Sequence, residues 1–209
     1  MTMSNTGALL FGGSFNPPHN GHVAAVVRAA EALGLGRTVI MPAGRPPHKD
    51  LPPDTPSVEQ RLAMTRLAFS GIAGCHVSAW ELNRPGPTYT IETLEQLRGE
   101  GLSPVLLVGS DMFLTLQGWV RASDIIATAK IAVLLRDGAD LAPVRQYADF
   151  LAHAYGATVT LINNTPIVIS STRLRDSLRS GEGIGYLPEA VYGFIKKHGL
   201  YGVKAEHTR

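Results

Sequence analysis

Apolar runs of strand length alternate with helix-period segments along nearly the whole chain, and no other feature limits the fold as strongly. The runs are ALLFG (8–12), RTVIMPA (37–43), CHVSAWEL (75–82), PVLLVGSD (104–111), KIAVLLR (130–136) and ATVTLIN (157–163). Between them the apolar spacing predicts helices over HVAAVVRAAEALG (22–34), SVEQRLAMTRLAFSG (57–71), TIETLEQLRGEG (90–101), ASDIIATA (122–129) and APVRQYADFLAHAYG (142–156). Two further helices, SSTRLRDSLRSG (170–181) and LPEAVYGFIKKHGL (187–200), form a small C-terminal helical segment. Ser57 is placed to cap its helix with Gln60 completing the box, and Gly34 is placed to close the first helix. Strand followed by helix, repeated, implies an α/β fold with a mainly parallel sheet.

Composition narrows the class. The 209 residues are 44% hydrophobic and 17% charged, which supplies a core without the charge density of a disordered chain. One domain over 1–209 is expected. A net charge of +2 gives no general argument for nucleic acid. The single cysteine, Cys75, excludes an internal disulfide framework and a cysteine-built zinc site, and it suits a reducing cytoplasm. The first residues, MTMSNTG, have neither the basic nor the long apolar region of a signal peptide. No apolar run is long enough to span a bilayer. The sequence is compatible with a homo-oligomer.

The stretch LLFGGSFNPPHNGHVAAVVRAAEAL (9–33) is a poor choice for plain packing. Gly12 and Gly13 let the backbone turn sharply and approach a ligand closely. Pro17 and Pro18 stiffen the loop that follows. Gly21 and His22 stand where the next helix is expected to begin, and free amides at a helix start attract anions. His19 and His22, three apart, can face one ligand together and donate hydrogen bonds to phosphate oxygens. The loop carries no serine or cysteine nucleophile suited to covalent catalysis. Positioning and charge stabilisation of a phosphoryl-type transfer fit it better. In a parallel sheet ligands bind beyond the carboxyl ends of the strands, where this loop lies.

GGSFNPPHNGH resembles the GG[ST]F[DN]PxHxGH motif of the HxGH nucleotidyltransferase superfamily, with Asn16 where many members have Asp. Four other segments, MPAGRPPHK (41–49), PTYTIETL (87–94), VGSDMFLTLQGW (108–119) and ISSTRLR (169–175), resemble in order and spacing those of the bacterial nicotinate mononucleotide adenylyltransferases, as does LPEAVYGFIKKHGLY near the end. The likeness runs from about residue 7 to residue 201. It implies a Rossmann-like, doubly wound sheet with helices on both faces. It also implies transfer of AMP from ATP to nicotinate mononucleotide, giving deamido-NAD and pyrophosphate.

The resemblance assigns the catalytic role to His19 and His22. ATP would lie against Gly12, Gly13, Ser14, Phe15, Gly109, Asp111, Ser170, Ser171, Thr172 and Arg175. The acceptor would meet Arg45, His48, Lys49, Tyr89, Thr90 and Trp119, with the aromatic ring packed on the pyridine and backbone amides at Tyr89–Thr90 taking the carboxylate. Magnesium would accompany ATP, held by phosphates and water rather than by a protein cage. ATP and nicotinate mononucleotide are the expected partners, with no nucleic acid and no membrane. An acceptor such as nicotinamide mononucleotide or phosphopantetheine, or a non-catalytic nucleotide-binding regulator, remains the alternative.

Overall fold

The computed structural model describes residues 6–46, 51–135, 141–163 and 170–205. The apolar runs become strands β1 Gly7–Gly13, β2 Thr38–Pro42, β3 Cys75–Val77, β4 Ser103–Gly109, β5 Lys130–Leu135 and β6 Val159–Asn163. The helices are α1 Asn20–Leu33, α2 Val58–Phe69, α3 Thr90–Gly99, α4 Ser110–Leu114, α5 Ala122–Thr128, α6 Leu141–Tyr155, α7 Ser171–Arg179 and α8 Glu189–His198. Every strand pairing among the described residues is parallel, in the order β3-β2-β1-β4-β5-β6. This is the doubly wound arrangement expected.

Successive strand residues face opposite ways, so one strand serves two cores. Leu9, Ile40, Leu107 and Leu134 look toward α1, α2, α7 and α8, where Val26, Met64, Leu174 and Val191 are buried. Leu10, Met41, Leu106 and Val133 look the other way, onto Leu94, Phe113, Ile125 and Leu151 of α3 to α6. Continuous apolar runs in the sequence are what a strand covered on both faces requires. The strand order reverses between β1 and β4, and that reversal opens a crevice at their carboxyl ends.

Local chemistry sets the element boundaries. Ser57 Oγ accepts from the Gln60 N–H at 3.3 Å while the Ser57 N–H donates to Gln60 Oε1 at 2.9 Å, the expected capping box. Gly34 closes α1 in a left-handed conformation with φ of 62°. The strand expected over 75–82 stops at Val77, because Ser78 Oγ accepts from the Trp80 N–H and the chain turns into a short 3₁₀ helix at Glu81–Asn83. Periodicity could not separate this turn from a strand end. The strand-length run over 104–111 ends at Gly109, and Ser110 and Asp111 open α4. Helix α1 starts at Asn20, two residues before the expected start, with His19 as its N-cap. No helix among the described residues is long and apolar enough to cross a membrane.

Gly74 illustrates how tightly β2 is tied to its neighbours. It adopts φ of +71°, and a Cβ there would lie 2.0 Å from the Gly36 carbonyl oxygen. Its own carbonyl accepts from the Thr38 N–H at 2.9 Å, at the start of β2. Gly74→Ala is therefore expected to lose about 2 kcal/mol or more of stability, read as a lower urea midpoint at unchanged m-value.

Candidate functional site

The loop between β1 and α1 carries the chemistry. His19 ends it as the N-cap of α1 and is buried, with 5% of its surface exposed. His22, one turn on, lies half-buried with its ring stacked on His19 at 3.7 Å between centroids. The His19 N–H donates to His22 Nδ1 at 3.2 Å. In the neutral imidazole this leaves the proton on Nε2, so His22 is held as a one-sided donor. Nδ1 of His19 finds no partner among the described residues. Burial pulls the His19 pKa down to about 4. Burial, and then the neighbouring His19, also depress His22 well below its ordinary value. Both rings are neutral at pH 7. Anions arriving at the helix start would draw their pKa values upward again.

Phe15 occupies this loop differently from a ligand contact. Its ring is buried, 5.1 Å from that of His22 and 6.0 Å from that of Phe69, and its backbone takes a positive φ of 43°. It backs His22 from the core side and can reach a nucleotide only through its main chain. Asn16 is buried beneath the loop, with its carbonyl accepting from Arg175 Nη1 at 2.8 Å. Its side-chain oxygen accepts from the Tyr201 hydroxyl at 2.7 Å and its Nδ2 donates to Thr55 Oγ1 at 3.0 Å. An aspartate at this position could accept from both hydroxyls.

Helix α7 brings the ISSTRLR segment to the same loop. Ser170 caps α7 by accepting from the Arg173 N–H at 3.2 Å, and Ser171 Oγ donates to the Pro17 carbonyl at 3.3 Å. Thr172 is exposed, and its Oγ1 accepts from Arg175 Nη2 at 3.2 Å. Arg175, expected to contact ATP, is 6% exposed, and its guanidinium holds the loop through the Asn16 carbonyl and the Thr172 hydroxyl.

Beyond the carboxyl ends of β1, β2 and β4 lies a cavity of about 390 Å³. Gly12, Gly13 and Ser14 form one wall and Tyr89, Thr90 and Trp119 another. Trp119 is half-buried, with its indole nitrogen donating to Thr115 Oγ1 at 3.4 Å. The Tyr89 N–H is engaged by Glu92 Oε2 at 3.1 Å. An anion at this corner would therefore turn to the amides that start α3, from Thr90 onward. Gly109 ends β4 as the N-cap of α4, and Asp111 is exposed in the first turn of that helix. Arg45 is exposed and not among the residues lining the cavity, although Pro46 is. His48 and Lys49 lie outside the described residues.

Two residues that the motifs did not single out complete the arrangement. Glu81 is buried in the cavity wall, and its two oxygens accept from the Thr88 and Thr93 hydroxyls at 2.8 and 2.6 Å. Burial pushes its carboxyl up from the usual range against those two hydrogen bonds. Arg61 is 1% exposed and donates to the Ser14, Ala43 and Gly44 carbonyls. A signal for Arg61 was present: it opens the stripe Arg61, Met64, Thr65, Ala68 that α2 buries, at spacings of three, one and three. Glu81 sits in an aperiodic turn and had none.

The depressed histidines make stability depend on pH in a defined direction. An unfolded histidine takes up a proton near pH 6.5, and native His19 only near 4. Between these values the unfolded state binds more protons, so stability falls as pH falls through that window. His19 alone accounts for up to about 3 kcal/mol. Urea midpoints at pH 7 and pH 5 should differ in the wild type and differ less in His19→Asn.

A family model described as cytidylyltransferase-like matches residues 10–177. A relative from Pseudomonas putida, named "probable nicotinate-nucleotide adenylyltransferase", is 36% identical over 206 residues, covering 92% of this chain and 93% of its own. One of the same name from Gloeobacter violaceus is 38% identical over 200 residues, covering 94% and 96%. Among solved structures, the nicotinic acid mononucleotide adenylyltransferase of Plasmodium falciparum complexed with NaAD superposes with a TM-score of 0.74 at 16% identity, over 96% of this chain and 99% of that one. That likeness carries the fold. With its motif loop at the switch point of the sheet, and with these relatives along nearly its full length, the chain belongs to the nicotinate-nucleotide adenylyltransferase family of cytidylyltransferase-like proteins.

Proposed function

We propose that this chain transfers the adenylyl group of ATP to nicotinate mononucleotide, forming deamido-NAD and releasing pyrophosphate. An oxygen of the mononucleotide phosphate attacks the α-phosphorus, and the bond from that phosphorus to the bridging oxygen breaks in line with it. The attacking phosphate is already ionised at neutral pH, so no strong general base is needed. The observation that carries the reading is the pair of neutral, stacked imidazoles at the start of α1, with the His22 proton held on Nε2 by the His19 amide. That geometry supports two hydrogen-bond donors for oxygens that gain charge during transfer.

ATP is assigned to Gly12, Gly13, Ser14, the Phe15 main chain, Gly109, Asp111 and the start of α7 at Ser170, Ser171 and Thr172. The acceptor is assigned to the cavity, with Trp119 stacked on the pyridine and the amides from Thr90 onward facing its carboxylate. Arg45, His48 and Lys49 are proposed to meet the acceptor. Both Glu81 oxygens are occupied by the Thr88 and Thr93 hydroxyls, which turns its charge away from that carboxylate. Magnesium would neutralise the triphosphate. Its ligands are proposed to be mainly phosphate oxygens and water.

Pyrophosphate release from ATP, measured in parallel with nicotinate mononucleotide, nicotinamide mononucleotide and phosphopantetheine, tests the reading. The nicotinate form is expected to lead the amide by about one to two powers of ten in kcat/KM, because an amide NH₂ facing N–H donors is left unpaired. Equal or inverted preference overturns the carboxylate assignment. His22→Ala is expected to lower kcat by about 100- to 1,000-fold with its circular dichroism melt little changed. Trp119→Ala should weaken both pyridine acceptors without reversing their order.

A further inference from the structure

We infer that Arg61 is a positioning residue for the transfer: its buried guanidinium sets the distance between the loop that receives ATP and the loop that leads to the acceptor. This rests on the function proposed above, because it takes those two loops as the two substrate sides.

One nitrogen, Nη1, donates both to the Ser14 carbonyl at 2.9 Å and to the Ala43 carbonyl at 2.8 Å. Nη2 adds the Gly44 carbonyl at 3.2 Å. Ser14 follows β1, whereas Ala43 and Gly44 follow β2, so a single planar fork clasps the chain as it leaves both strands. The Ala43 N–H donates to the Gly13 carbonyl at 2.8 Å, closing the clasp on its other side. Gly13, Ser14 and Ala43 all line the cavity. Gly44 is drawn in close as well: a Cβ there would lie 2.6 Å from the Glu81 carbonyl oxygen, which ties the second loop to the Glu81, Thr88 and Thr93 corner.

Arg61 cannot act by touching substrate, since 1% of its surface is exposed. Nor does its chemistry suit simple glue. Its carbonyl partners are neutral, it makes no ion pair among the described residues, and Nε has no partner. A buried cation lacking a carboxylate is costly to a fold, and an apolar side chain of the same length would pack on α2 at less cost. What the guanidinium supplies and a methionine does not is simultaneous, directional hold on two loops, together with a fixed positive charge beneath a site for phosphates. In-line transfer is sensitive to such spacing, since a displacement of about 1 Å costs roughly 100-fold in rate.

Two substitutions and two readouts test this. Arg61→Met removes the fork and the charge, and Arg61→Lys keeps the charge and removes the fork. Hydrogen exchange on the full chain without substrate reads the clasp alone. Segments 12–15 and 43–46 should lose protection together in both variants, while β4 and β5 keep theirs. With ATP and nicotinate mononucleotide, kcat should fall about 100-fold in Arg61→Met and less in Arg61→Lys, while KM for either substrate moves less than fivefold. Protection lost evenly across the sheet, or a kcat in Arg61→Met within threefold of wild type, overturns the inference. Failure of both variants to fold does so too, because Arg61 would then be a core residue only. A wild-type enzyme inactive on nicotinate mononucleotide overturns the proposed function instead, and the exchange result still judges the clasp.

Discussion

Asn16 is where the hydrogen bonds of three distant segments converge. Its carbonyl accepts from Arg175 of α7, its side-chain oxygen from Tyr201 near the end of the described chain, and its Nδ2 donates to Thr55 ahead of α2. The loop it belongs to, from Ser14 to Pro18, has no ladder or helix of its own to hold its shape. Irregular backbone that must keep still has to borrow rigidity from elsewhere. Here it borrows from elements that follow it by 39 to 185 residues.

The same dependence explains why buried polar side chains gather around the crevice rather than in the cores. Arg61, Glu81, Thr88, Thr93, Asn16, His19 and Arg175 are all buried, and each of them binds backbone or side chains at the carboxyl ends of the strands or is bound there. Of the other buried polar residues, Thr38 stands at the start of β2, Ser110 opens α4, and Thr65 returns its hydroxyl to the Arg61 carbonyl within α2. A buried polar group is tolerated only where its partners are supplied, and partners are supplied where strands end and main-chain groups become free. Structure and chemistry therefore share one address, the switch point between β1 and β4.

Burial also sets the electrical character of the site. The free protein presents neutral imidazoles because their charged forms are poorly solvated between Phe15 and the start of α1. It presents a weakened carboxyl at Glu81 for the same reason. The site thus covers both Glu81 oxygens with hydroxyls and keeps its histidines as donors of defined orientation, ready to gain charge as phosphate arrives.

Read alone, the sequence determined the α/β class, the order of nearly all elements and the loop that bears His19 and His22. Those properties follow from periodicity, glycine and proline placement and helix-start chemistry, which act over a few residues at a time. It also marked Ser170, Ser171, Thr172 and Trp119, because each lies in a short segment with a readable end. What it could not determine was contact between segments. That α1 starts at Asn20, behind His19, depends on the His19 amide reaching forward to His22, that the strand at 75 ends after Val77 depends on Ser78 and the burial of Glu81, and that Arg175 gives its guanidinium to Asn16 depends on a contact between residues 159 positions apart. Arg61 opens the stripe that α2 buries, which marks it as buried but not what it binds. Only the parallel sheet, by setting the ends of β1 and β2 side by side above α2, makes it the one side chain among those described that donates to both, and such closeness arises from tertiary packing that no local pattern encodes.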